Sequence, residues 1–155
     1  MTATPVRVRR VVPRDLPRLV ELCAEHAAYE RATFTPSGQL ERLERALFAE
    51  APRLHAWVAE QDDTVIGYAT ATLDYATWEA APFAHLDCLY LRPEVRGKGV
   101  GARLLAEVIT LAKQEGCINV QWQTPPWNTS AIRFYERQGA ASFPKRRFTL
   151  PLQPL

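Results

Sequence analysis

Arg92-Pro93-Glu94-Val95-Arg96-Gly97-Lys98-Gly99-Val100-Gly101 joins an apolar stretch, Phe83 to Leu91, to the clearest helical stripe in the chain: Val100, Leu104, Leu105, Val108, Leu111 and Ala112. An apolar run of that length reads as a buried strand, and apolar residues three and four apart read as one helix face. A strand therefore enters a glycine-rich turn that opens a helix. Glycines let successive backbone N–H groups turn toward one ligand with no Cβ in the way, and a helix N-terminus adds partial positive charge. Together they read as a cradle for a pyrophosphate, with Arg96 and Lys98 able to add charge at its rim.

Other readings of the turn compete. It could be mere punctuation before a helix. It is not a P-loop, because no Gly-Lys-Ser/Thr follows a four-residue spacer. Gly97-x-Gly99-x-x-Ala102 formally matches a dinucleotide fingerprint, but the next strand carries Gln121 and Gln123 rather than an acidic residue, and the preceding strands pair as hairpins.

Outward from the turn, residues 6–12 read as a first strand, and Asp15 as the N-cap of a helix carrying Leu19, Leu22, Cys23 and His26. After the break at Thr35-Pro36-Ser37-Gly38, a second helix is expected from Gln39 to Glu50. Leu54 to Ala59 and Val65 to Leu73 read as strands joined by a turn at Gln61-Asp62-Asp63. Gly116 closes the central helix. A short strand at 118–123, a helix at 129–138 ending at Gly139, and a last strand at 146–150 complete the chain. The expected order is βααβββαβαβ in an α+β fold, a mixed and mostly antiparallel sheet flanked by helices. At 155 residues, with no repeats and no linker, residues 1–155 are expected to form one domain.

Nineteen basic and 17 acidic residues leave a net charge of +2, too balanced to argue for nucleic acid or an anionic membrane as a partner. The three cysteines, Cys23, Cys88 and Cys117, form no CxxC pair, so neither a disulfide framework nor a metal site is expected. The start of the chain alternates Val6 and Val8 with Arg7 and Arg9, unlike a signal peptide, and no apolar run reaches ~20 residues. A cytoplasmic protein is expected.

Downstream lies Trp127-Asn128-Thr129-Ser130-Ala131-Ile132-Arg133-Phe134-Tyr135-Glu136-Arg137-Gln138-Gly139-Ala140. With Arg96, Gly99 and Gly101 in the pattern Arg-x-x-Gly-x-Gly/Ala, this segment resembles the GNAT acetyltransferase superfamily, closely over 86–140 and in element order over the whole chain. Within it the chain is most similar to diamine (spermidine/spermine-type) and thialysine N-acetyltransferases, through Ala28-Tyr29-Glu30, Tyr75-Ala76-Thr77-Trp78, Leu86-Asp87 and Trp127-Asn128. One departure is Cys88, where that subfamily has a second acidic residue after the position of Asp87.

The resemblance implies direct transfer of acetyl from acetyl-CoA to a primary amine of a small molecule, in a homodimer. It implies coenzyme contacts from Arg96, Gly97, Lys98, Gly99, Val100, Gly101, Ala102, Asn128, Tyr135 and Arg137, and from the backbones of Leu89 and Leu91. A free alkyl ammonium holds its proton up to a pKa near ~10.4, so the amine must be deprotonated before attack. Tyr135 is the candidate acid for the departing thiolate, since phenols are protonated at neutral pH; the alternative is a core aromatic beside Phe134. Asp87 is the candidate to take the amine proton or anchor the ammonium, against an ordinary strand-end hydrogen bond. Glu30 would pair with a second positive charge, or simply end a helix. Tyr75 and Trp78 would wall the acceptor pocket, or simply pack at a strand end. Asn128 would bind coenzyme, cap the following helix, or do both. His85, two residues from Asp87, would share its strand face and could relay a proton, or be an ordinary partly buried histidine. Another acceptor (an aminoglycoside, an amino acid, a protein N-terminus) or a non-catalytic acyl-CoA-binding module are the alternative functions.

Overall fold

The computed structural model describes residues 3–153. The chain falls into two compact units, Met1–Gln123 and Thr124–Leu155.

The first unit holds a five-stranded sheet in the order β1-β2-β3-β4-β5: β1 (Arg7–Arg10), β2 (His55–Gln61), β3 (Thr64–Ala76), β4 (Ala81–Leu91) and β5 (Val120–Gln121). The first three pairings are antiparallel and β4–β5 is parallel, so the sheet is mixed as expected. Asp62 and Asp63 both sit at positive φ, 50° and 58°, which is the backbone twist a two-residue hairpin turn demands. β3 outruns the apolar pattern by three residues, because its ladder with β4 continues from Asp74↔Phe83 to Ala76↔Ala81 after the burial has ended.

Helices cover both faces. On one, α1 (Leu16–Tyr29) and α2 (Gln39–Phe48) pack Leu16, Leu19, Leu22 and Leu47 against Val58, Tyr68 and Tyr90. On the other, α3 (Val100–Gln114) packs Val100, Leu104, Leu105, Val108 and Leu111 against Ala59, Ile66, Ala69, Ala71 and Leu86. The stripe read from the sequence is thus the buried face of α3.

Asp15 occupies the N-cap position of α1, but its side chain makes no capping bond to the helix. It ends a 3-10 turn (Pro13–Asp15) and is buried, accepting from the Val12 N–H at 2.8 Å and from both guanidinium nitrogens of Arg9 at 2.7 and 2.9 Å. Arg9 also holds Glu60 at 2.9 Å, which ties β1, β2 and the entry to α1 together.

The second unit contains α4 (Thr129–Arg137), which ends through Gly139 N–H to Glu136 O at 2.9 Å and Ala140 N–H to Tyr135 O at 3.2 Å. The strand expected at 146–150 is absent. Those residues are exposed and join no ladder, and Pro144 and Pro151 flank them with no N–H to donate. The alternation of the sequence there gives a strand tendency, but no partner among the described residues satisfies it.

Candidate functional site

The glycine turn takes the shape its sequence calls for. A 3-10 turn (Pro93–Val95) leads into Gly97 at φ 74° and Gly99 at φ 80°, the latter the N-cap of α3. L-residues with side chains avoid that region, and nothing lies within 4 Å of where a Cβ would stand at either glycine. The first helical bond runs from Arg103 N–H to Gly99 O at 3.2 Å, so the N–H groups of Val100, Gly101 and Ala102 precede the ladder. An open turn, positive-φ glycines and orphan N–H groups at a 15-residue helix fit a diphosphate. Lys98 is exposed at its rim. The Arg96 side chain points elsewhere: Nε donates to Leu91 O at 2.9 Å, and the guanidinium lies 4.8 Å from the Tyr29 ring centroid and 5.5 Å from that of Tyr90.

β4 has an open edge next to this turn. β5 pairs only with Ala84 and His85, leaving Leu86–Leu91 without a strand on that side among the described residues. Arg92 N–H donates to Ile66 O in β3, so antiparallel alternation directs the backbone groups of Leu91 and Leu89 to the open edge. An extended ligand arm can add there as a short strand.

The ladder also slips within β4. Thr70 pairs with Cys88 and Ala71 with Leu86, which leaves Asp87 as a bulged, exposed residue. A bulge re-aims side chains and interrupts alternation. The two-residue spacing of His85 and Asp87 therefore no longer defines a shared face; His85 instead pairs across the ladder with Thr72 and Gln121.

A polar cluster gathers on the α1 side of the bulge. His26 Nδ1 lies 2.9 Å from Tyr68 Oη, its ring stacks on Tyr90 (centroids 5.1 Å, planes 20° apart), and Nε2 is 3.8 Å from Glu30 Oε2. Burial lowers the His26 pKa below the usual imidazole value against the opposing charges of Glu30 and Asp87. Burial and Asp87 together push the Cys88 thiol up to about 12, with Sγ 3.7 Å from Asp87 Oδ2. Tyr90 donates to Glu25 at 3.3 Å. Glu30, Asp87 and Arg96 are thus grouped by the fold, and the residues missed from the sequence are His26, Tyr68 and Tyr90. Their signal was weak: one histidine on an apolar helix stripe and two tyrosines inside strands.

Tyr75 and Trp78 lie at the β3–β4 hairpin end, 65% and 97% exposed. In the second unit Asn128 is buried and caps α4, its Oδ1 accepting from Ala131 N–H at 3.4 Å. Tyr135 is half-buried against Phe134 (centroids 5.3 Å), and Arg137 is exposed at the last turn.

A strand–glycine turn–helix unit, an open β4 edge and a bulged carboxylate beside it define an acyl-coenzyme-dependent transferase. Residues 19–140 match the Acetyltransferase (GNAT) family, and the chain belongs to that family. It is an N-acetyltransferase that uses acetyl-CoA. It is similar to the thialysine N-epsilon-acetyltransferase of Bos taurus, 29% identical over 143 residues, 87% of this chain and 84% of that one. A relative of the same name from Caenorhabditis elegans is 25% identical over 126 residues, covering 81% and 77%. Among solved structures, an aminoglycoside N-acetyltransferase in complex with CoA superposes with a TM-score of 0.81 at 21% identity, covering 98% of both chains, which is a likeness of fold. No helix among the described residues is long and apolar enough to cross a membrane.

Proposed function

We propose that the acceptor is a primary amine on a small cationic molecule of the thialysine or polyamine class. The observation that carries this reading is the convergence of two carboxylates, Glu30 and Asp87, on the His26 imidazole beside the bulge. Two negative charges from different elements suit a substrate with an ammonium group and a second cationic centre. The names of the two relatives described above point the same way. Tyr75 and Trp78, exposed on the hairpin, offer aromatic faces to such a cation.

Acetyl-CoA supplies the activated acetyl thioester. The chain's own residues have three tasks. The N–H groups of Val100, Gly101 and Ala102, with Gly97, Gly99 and Lys98, hold the diphosphate. The outward backbone groups of Leu89 and Leu91 align the extended arm, and Asn128 and Arg137 add contacts. Asp87 anchors the ammonium beside the site of deprotonation, while Tyr135 donates a proton to the departing sulfur.

Residues 1–155 form one functional domain in this reading, supported by the family match that runs across the Gln123/Thr124 division. The protein works as a homodimer in the cytoplasm. Phe143, Phe148, Leu150 and Leu152, exposed in a segment that forms no strand, support self-association, and three free cysteines suit a reducing compartment.

The test follows thiol release from acetyl-CoA with thialysine, lysine, spermidine, aminoglycosides and short peptides, with Tyr135→Phe in parallel. Release with thialysine or spermidine, reduced about 10²-fold in the variant, is expected. Release only with an aminoglycoside or a peptide overturns the acceptor class.

A further inference from the structure

The clamp around His26 decides where its proton sits. The side chain is only 13% exposed, with Tyr90 stacked on one face and Tyr68 edge-on at 5.9 Å, so the ring cannot turn freely. Tyr68 is buried, and burial with its thiol neighbours holds its pKa far above the usual phenol value, so it keeps its O–H. The sulfurs of Cys23 and Cys88 neighbour that O–H. When Tyr68 turns its proton toward a sulfur, its Oη accepts from His26 Nδ1–H across the 2.9 Å contact. The neutral ring is then left with its lone pair on Nε2.

Nε2 is the edge that faces the acidic groups. Glu30 Oε2 lies 3.8 Å away, beyond hydrogen-bond range but close enough to stabilise a charge. Every packed element contributes: α1 brings Cys23 and Glu30, β3 brings Tyr68, β4 brings Asp87, Cys88 and Tyr90, and the glycine turn brings Arg96, whose charge opposes protonation.

We propose that His26 Nε2 is the base that takes the proton from the acceptor's ammonium group, an inference that rests on the reading of this chain as an amine acetyltransferase. The ammonium N–H bond breaks, the electron pair stays on the amine nitrogen, and the proton joins Nε2 to give an imidazolium flanked by Glu30 and Asp87. The amine nitrogen then forms the C–N bond as the C–S bond breaks. Its second proton balances the one taken by sulfur, and His26 returns the first to water. Asp87 holds the ammonium in place, and Tyr68 and Tyr90 are positioning residues.

Two measurements test this. Nitrogen-15 NMR of the histidine rings at pH 7.5 should show His26 as the Nδ1–H tautomer; the Nε2–H tautomer overturns the proposal whatever the activity. With thialysine as acceptor, His26→Gln should lower kcat/KM about 10²-fold near pH 7. The deficit should shrink toward pH ~10, where the free amine loses its proton unaided. A loss that is the same at every pH marks a structural role and overturns the assignment. If H26Q does not fold, Glu30→Gln at a half-exposed helix end replaces it. Removing that negative charge must move the acid limb of the wild-type profile to lower pH, and an unmoved limb overturns the proposal. Thiol release by neither wild type nor variant with any amine would count against the acetyltransferase acceptor class, not against the tautomer.

Discussion

Asp87 illustrates how one charge sets the chemistry of its neighbours. It stands on a bulge, exposed, and its negative charge raises the proton affinity of Cys23, His26 and Cys88 alike. Replacing it with Asn removes that field while keeping the shape. Asp87→Asn should therefore lower the Cys88 pKa from about 12, which a pH series of thiol alkylation reads directly. The same substitution should reduce kcat/KM for a cationic amine about 10²-fold, with little change in KM for acetyl-CoA. Unchanged Cys88 reactivity would mean that the carboxylate points away from the cluster. The bulge itself is invisible in Leu86-Asp87-Cys88, because alternation assumes an unbroken ladder and only the pairing with Thr70 and Ala71 reveals the extra residue.

Among the elements, the glycine turn with α3 is the one whose local sequence dictates its geometry. Gly99 needs φ near 80°, and open space surrounds the missing Cβ, so Gly99→Ala introduces backbone strain and no clash. That strain is roughly 1–2 kcal/mol. If the turn relaxes to relieve it, its N–H groups no longer converge, and the Kd for CoA should rise about tenfold by calorimetry. An unchanged Kd together with lower thermal stability would place the diphosphate elsewhere. The 146–150 segment shows the opposite relation. Its residues favour a strand, yet pairing is a property of two segments, and neither is specified by one of them alone.

At the scale of the first unit, the Arg9–Asp15–Glu60 network couples strand pairing to the start of α1. Hydrogen bonds from Arg9 and then Arg7 hold the Glu60 pKa down to about 2. Burial alone would raise Asp15, but Arg9 and the Val12 N–H outweigh it and leave its pKa below the usual value. Both folded pKa values are depressed, so the stabilisation is present above the unfolded carboxylate range. It is lost as pH falls from about 4.5 toward about 2. Arg9→Met leaves a buried Asp15 carboxylate without its partner and should destabilise the fold by about 3 kcal/mol at pH 7. The loss should be smaller at pH 3, in denaturant melts compared at the two pH values. Equal losses at both would mean that Arg9 acts through packing of its stem alone.

What the sequence determined by itself is what depends on neighbours in the chain. The glycine turn, the apolar face of α3, the Asp-Asp hairpin turn and the helix behind Asn128 follow from φ preferences, capping and 3.6-residue spacing, all of which act over a few residues. The family signatures sit in those same segments. Only the tertiary structure decided the bulge at Asp87, the burial of Asp15 under Arg9, and the meeting of His26 with Tyr68 and Tyr90, which lie 42 residues or more away. Such contacts arise when separate elements bury a shared surface, and nothing in the local pattern of either partner encodes which atoms will meet.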